Sequence, residues 1–224
     1  MARTVLTPIE AFCWLANAPD KSAVVLECGA GKGEVSQFMA RHFGRAICSD
    51  INAGYLPTPF GPLEVLVAAA EEVPLPDNSV DLLVSVQALH HFDKERHLAE
   101  ARRLLGPGGV FAALCWGDIQ LPSDVAGAYQ DTFRALEPYW ESARPWVLSG
   151  YSGLAFAGEE IRLPETRMNR RLSQEQLGMI IAQWSATQVA LAENADIPEP
   201  LACSRDWPAG IPVSWPLLGK VFKL

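Results

Sequence analysis

Apolar residues along this chain follow two rhythms. Ala23 to Leu26 is an unbroken apolar run that meets an acid and then a glycine-rich turn. Such a run marks a strand buried on both faces, as in a parallel sheet. Val35, Phe38, Met39 and Phe43 then recur at helical spacing, predicting a helix over 34–43. The same alternation continues. Short strands are expected at Arg45–Asp50, Leu63–Ala68, Val80–Val86 and Val110–Cys115. An amphipathic helix over Lys94–Leu105 carries Leu98, Ala101, Leu104 and Leu105 and is expected to stop at Gly106-Pro107-Gly108-Gly109. Upstream, residues 8–17 read as a short helix that packs Phe12, Trp14 and Leu15 onto the sheet edge. Strands alternating with helices predict a doubly wound, mostly parallel α/β sheet.

Beyond Trp116 the texture changes. Prolines interrupt often, and six of the seven tryptophans lie at or after 116. Asp124–Leu136 reads as a helix, and Asn169 and Arg170 fall in an expected sixth strand. Ser173 followed by Gln176 is a capping-box start for a helix reaching about Ala192. The segment 213–224 reads as a closing edge strand, because Pro216 suits an edge better than a centre.

Composition narrows the classes. The 224 residues are 49% apolar and 20% charged, ordinary for a globular chain with a real core. A formal net charge of −8 argues against nucleic-acid or membrane-surface partners, since no basic block exists to neutralise phosphates. The densest basic group, Arg167, Arg170 and Arg171, reads as a solvated surface. Cys13, Cys28, Cys48, Cys115 and Cys203 occur singly and read as reduced thiols of an intracellular protein. With no signal peptide and no apolar run long enough to span a bilayer, the expected location is cytoplasmic.

The chemistry concentrates around Glu27-Cys28-Gly29-Ala30-Gly31-Lys32-Gly33. Glycines at alternate positions let the backbone turn sharply and approach a ligand where a Cβ would block it. Strand, glycine turn and helix make the first half of a nucleotide-binding unit. Asp50 ends the next strand 21 positions after Gly29, about where such units place a carboxylate on ribose hydroxyls. The spacing is E-x-G-x-G-x-G, which is neither the dinucleotide fingerprint nor a P-loop.

That pattern resembles the class I S-adenosylmethionine (SAM) methyltransferases. The run AEEVPLPDNSVDLLVSVQALHHFD at 70–93, followed by RRLLGPGGVFAAL at 102–114, is similar to their methyltransferase-11-type small-molecule branch, near the trans-aconitate methyltransferases. Weaker likeness continues through Gly150–Phe156, Gln183–Ala186 and Trp215–Leu217. The resemblance implies a Rossmann-like, seven-stranded sheet with a helical, aromatic-rich cap in the C-terminal half. Residues 1–118 would be the SAM-binding core, and 119–224 the substrate cap plus closing strands. It implies that Gly29, Gly31 and Gly33 line the methionine and ribose, with Glu27 toward the amino end. Asp50 would accept the ribose hydroxyls, Ile51 would pack on the adenine, Ala70 and Glu71 would border it, and Gln87–Leu89 would flank the sulfonium. Two departures stand out: Ala69 where relatives often carry an acid, and Arg3–Pro8 where they carry a tyrosine-rich flap.

Methyl transfer needs alignment of nucleophile and methyl more than acid–base help. A hydroxyl acceptor does need a base, and His90 or His91 at the end of the fourth strand is placed for it. Tyr151 and Trp184 are the preferred aromatic faces for a sulfonium, among Trp116, Tyr129, Tyr139, Trp140 and Trp146. His90, His91 and His97 have no supporting cysteine, so no metal is expected. The leading reading is SAM-dependent methyl transfer to a small metabolite, by O-methylation. One alternative is an enzyme that cyclises SAM itself to azetidine-2-carboxylate, releasing methylthioadenosine; another is a non-catalytic SAM-binding protein. Exposed aromatics in the cap would suit a homodimer.

Overall fold

A computed structural model describes residues 6–16, 22–201 and 207–224. Residues 3–5 of the Arg3–Pro8 segment, residue 17 at the end of the expected first helix, and Cys203 lie outside them. The chain divides into two compact units. Unit 1 holds the described residues up to Gly117, Trp146–Thr166 and Leu217–Leu224; unit 2 holds Asp118–Pro145 and Arg167–Pro216.

Unit 1 combines helices and strands, with no helix between β2, β3 and β4: α1 (Pro8–Ala16), β1 (Val24–Cys28), α2 (Glu34–Met39), β2 (Arg45–Asp50), β3 (Leu63–Val67), β4 (Val80–Val86), α3 (Lys94–Leu104) and β5 (Leu105–Trp116). Later come α6 (Arg144–Leu148, entering from unit 2), β6 (Glu159–Ile161) and the second half of β8 (Ile211–Lys223). The sheet order is β3-β2-β1-β4-β5-β8-β6, with its first five strands parallel. β8 runs antiparallel to β5 and β6. The unbroken apolar runs have a simple cause: neighbouring residues feed opposite cores. Val25, Cys48, Leu82 and Ala112 pack on one face with Ala11, Phe12 and Leu15 of α1 and Met39 of α2. Leu26, Ile47, Leu83 and Phe111 pack on the other with Ala101 and Leu104 of α3.

Unit 2 contains α4 (Ser123–Ala128), α5 (Gln130–Leu136), β7 (Thr166–Leu172), α7 (Gln174–Ala182), α8 (Ser185–Ala192) and the first half of β8, which pairs with β7. Its core gathers Val125, Tyr129, Leu136, Leu177, Ile181, Ala186 and Val213. The capping box forms as expected: Gln176 N–H donates to Ser173 Oγ, and Ser173 N–H donates to Gln176 Oε1.

Several expectations need correction. The sheet has eight strands rather than seven. Short, largely exposed β6 carries no alternation that a sequence reading could use. β8 is interior to the sheet, between β5 and β6; Pro216 is tolerated because the ladder to β5 begins one residue later, at Leu217. β5 starts at Leu105, so the Gly-Pro-Gly-Gly run is absorbed as a register shift against β4 and does not separate helix from strand. α1 packs over β4 and β5, toward the sheet centre and away from its edge. α2 ends at Met39, where Arg41 and His42 amides turn back to Phe38 and Met39 carbonyls. The helix expected over 124–136 breaks at Tyr129, and the one reaching 192 breaks at Gln183-Trp184. In the latter break Thr187 Oγ1 donates to the Ile181 carbonyl and Gln188 Nε2 to the Ala182 carbonyl, satisfying orphan groups at the end of α7.

Candidate active site

Parallel α/β sheets bind ligands outside the carboxyl ends of their strands, where the connecting loops splay apart. Here the loops after β1, β2, β3 and β4 enclose a cavity of about 340 Å³. Gly29 and Gln87 come from the loops that leave the two central strands, and Asp50 and Ile51 from the end of β2. Ala68 to Glu71 form one wall, while Ala88, His91 and Phe92 form another.

The glycine loop is shaped by contact and by openness. Gly29 has φ of 68°, and a Cβ there would lie 2.7 Å from Ala88 Cβ and 2.8 Å from Phe92 Cζ. Glycine at 29 thus lets the first loop touch the fourth. At Gly31, with φ of 53°, a Cβ would meet nothing within 4 Å. Asp50 braces this loop: Gly31 N–H donates to its Oδ2 and Asn52 N–H to its Oδ1, each at 2.8 Å. An ionised carboxylate offers about four acceptor sites, so two remain for a diol.

The opposite side is apolar. Ile51 is 75% exposed, an unusual exposure for a large aliphatic side chain, and it shares the cavity with Ala68, Ala69 and Ala70. Glu71 Oε1 accepts from Asp93 N–H at 2.8 Å, so its carboxylate ties the wall to the start of α3. Gln87 adopts φ of 56°, a left-handed conformation rare outside glycine and common at functional turns.

Other expected site residues are placed elsewhere. Glu27 is buried beneath the loop and is not part of the cavity wall; Ser36 Oγ donates to its Oε2. Burial raises its carboxyl from the ordinary 4.5 to about 7, opposed by the Ser36 bond and helped by Asp50 and Glu34 nearby. Gly33 caps α2, packed against Pro57 and Cys48. Leu89 is fully buried in the core and does not face the cavity.

The two histidines separate. His91 is exposed and lines the cavity; half-buried His90 turns its Nδ1 to the Tyr151 hydroxyl at 3.2 Å. Their rings lie 4.0 Å apart. Tyr151 is fully buried, and burial, with Cys115 near, pushes its phenol up, which keeps the proton on. It is therefore not an exposed face in the cavity. Trp184 lies in unit 2, its ring 5.6 Å from Phe133 and 5.5 Å from Trp140. His97 is wholly buried, its Nδ1–H donating to the Ala70 carbonyl at 2.8 Å. The sequence alone did not mark Ala68 or Phe92 as site residues. No periodicity flags either, because Phe92 matters through its contact with Gly29, a long-range pairing.

Comparison with known proteins agrees with this geometry. A methyltransferase-domain family model matches residues 26–113, which span the glycine loop, Asp50, the alanine wall and both histidines. A solved structure from Anaeromyxobacter dehalogenans, assigned as a type II methyltransferase, superposes with a TM-score of 0.82 at 27% identity, covering 99% of this chain and 98% of that one. Residues 26–113 carry a methyltransferase domain, as in the SAM-dependent methyltransferases. An uncharacterized methyltransferase of Mycobacterium tuberculosis is 36% identical over 105 residues, 46% of this chain and 42% of the relative. A ubiquinone/menaquinone biosynthesis C-methyltransferase of Acidiphilium cryptum is 34% identical over 114 residues, 46% of each. The chain thus spans less than half the length of these two curated methyltransferases.

SAM is the cofactor of this methyltransferase family, and the cavity suits it. Asp50 has acceptor capacity for vicinal hydroxyls, Ile51 and the alanines offer an apolar slot for a purine, and Gly31 leaves space for close backbone approach. No helix among the described residues is long and apolar enough to cross a membrane.

Proposed function

We propose that the protein transfers the methyl group of SAM to an oxygen nucleophile on a small metabolite, inside the unit 1 cavity, with His91 as general base. The observation that carries this reading is that His91 shares one cavity with Gly29, Asp50 and Gln87. In it, Asp50 accepts the ribose hydroxyls and Ile51 and Ala70 flank the adenine, with Glu71 at its border. The backbones of Gly29 and Gly31 follow the ribose and methionine, Glu27 underlies the amino end, and Gln87 sits beside the sulfonium. When bound, SAM supplies a methyl carbon already activated as a sulfonium. His91 takes the acceptor proton as the C–O bond forms and the S–C bond to the methyl breaks. His90, held by Tyr151, lies against His91 with its ring tilted by 49° and restricts it. A cavity of about 340 Å³ in a chain of net charge −8 supports a small-molecule acceptor in preference to a nucleic acid.

A carbon acceptor is the second reading, favoured by the C-methyltransferase relative. Product analysis separates the two. Purified protein is incubated with SAM, first alone and then with phenol, carboxylic acid and quinol acceptors, and products are identified by mass spectrometry. S-adenosylhomocysteine with an O-methyl product is the expected result, and His91→Ala should lower that turnover about 100-fold with SAM affinity within twofold. A C-methyl product would favour the second reading. Methylthioadenosine from SAM alone, above the uncatalysed rate, would overturn both.

A further inference from the structure

Helix α3 grips the loop that carries the alanine wall at four successive levels. Asp93, its N-cap, donates its amide to Glu71 Oε1. His97, one turn on, donates Nδ1–H to the Ala70 carbonyl at 2.8 Å. Glu100 Oε1 accepts from Val73 N–H at 2.8 Å. Arg103 donates to the Val73 and Leu75 carbonyls at 3.0 and 2.8 Å, and to Asp77 Oδ1 at 2.7 Å. Residues 93, 97, 100 and 103 form one helical stripe.

Within that stripe His97 bonds the cavity residue Ala70 without itself lining the cavity. Its ring is fully buried, 4.7 Å from Phe92 and 5.9 Å from Phe111, and Phe92 is itself a cavity residue packed beneath Gly29. Because a carbonyl only accepts, the bond to Ala70 puts the proton on Nδ1 and leaves Nε2 bare. Nε2 has no hydrogen-bond partner among the described residues. Burial pulls the imidazole below its ordinary value, against the opposing pull of the Ala70 carbonyl, Glu71 and Glu100, so the neutral form is the one present. A buried imidazole held as a single-donor tautomer is a costly way to fill space. Its specific product is the position of Ala70.

We propose that His97 is a positioning residue for the adenine end of the cofactor: through the Ala70 carbonyl it fixes the wall from Ala69 to Glu71, and so sets SAM affinity without taking part in methyl transfer. This rests on the reading of the unit 1 cavity as the SAM site.

The test compares two polar replacements that differ in where they put an N–H. Asn presents its amide where Nδ1 stands and can reach Ala70; Gln presents it where Nε2 stands and cannot. SAM and S-adenosylhomocysteine binding are measured by calorimetry, with steady-state kinetics at saturating acceptor. His97→Asn should bind within threefold of the native protein, whereas His97→Gln should lose at least tenfold in Kd and KM for SAM with kcat within twofold. Equal affinity of the two variants, or a loss in kcat alone, overturns the proposal. A measurement on the native protein stands apart from variant folding: nitrogen-15 imidazole spectra must show His97 protonated on Nδ1, and a proton on Nε2 overturns the proposal. Asp50→Ala in the same calorimeter separates the two layers. If it binds as tightly as native protein, the cavity reading itself has failed; if it loses binding while Asn and Gln at 97 do not differ, only the role of His97 has.

Discussion

Glu27 shows how one residue can give the fold a pH dependence. Its carboxyl is sealed under the glycine loop with the Ser36 hydroxyl, and burial raises it from 4.5 to about 7. A group with a raised folded-state value stabilises the fold below its unfolded value, and that contribution is lost as pH climbs through the folded value. Stability should therefore fall between pH 4.5 and 7, by as much as about 3 kcal/mol before solvent relaxation reduces it. Glu27→Gln should remove this slope. Urea melts of both proteins at pH 5 and pH 8 check it, and parallel pH trends would contradict it. The sequence places this acid at the end of a strand, but its burial depends on α2 folding back over the loop, which no local pattern encodes.

Among the elements, those whose signals are local were legible and those decided by partners were not. β2 and β4 match their expected bounds because an apolar run between turn residues is a strand signal in itself. Ser173 and Gln176 likewise announce α7 through side-chain groups three residues apart. Ser173→Ala should cost about 1 kcal/mol, read as a lower urea midpoint with unchanged slope, since one N–H loses its acceptor. What was missed was set by tertiary bonds. The break before α8 depends on Thr187 and Gln188 reaching back to carbonyls six residues earlier. β8 takes an interior place because β5 and β6 offer it two ladders. The cavity follows the same division. Gly29, Asp50 and Gln87 were readable from spacing and resemblance, whereas the withdrawal of Tyr151 into the core and of His97 behind Ala70 needed the assembled sheet.

For the molecule as a whole, the sheet of unit 1 encloses three thiols. Cys28, Cys48 and Cys115 are fully buried in β1, β2 and β5, while Cys13 on α1 is exposed. Burial raises all three, Cys48 to about 11 and Cys115 to about 12, so at neutral pH they are neither ionised nor reachable. Such groups act as clocks. A thiol-specific reagent should modify Cys13 within seconds and the three strand thiols only as fast as the sheet opens, a rate countable by intact-mass spectrometry. Cys48 sits where a Cβ at Gly33 would come within 2.9 Å of its sulfur, directly under the turn that caps α2. Its labelling should therefore slow further when S-adenosylhomocysteine is added, by the factor with which the ligand is in excess over its dissociation constant. The chain thereby carries its own occupancy gauge, readable with no acceptor in hand and no turnover to follow.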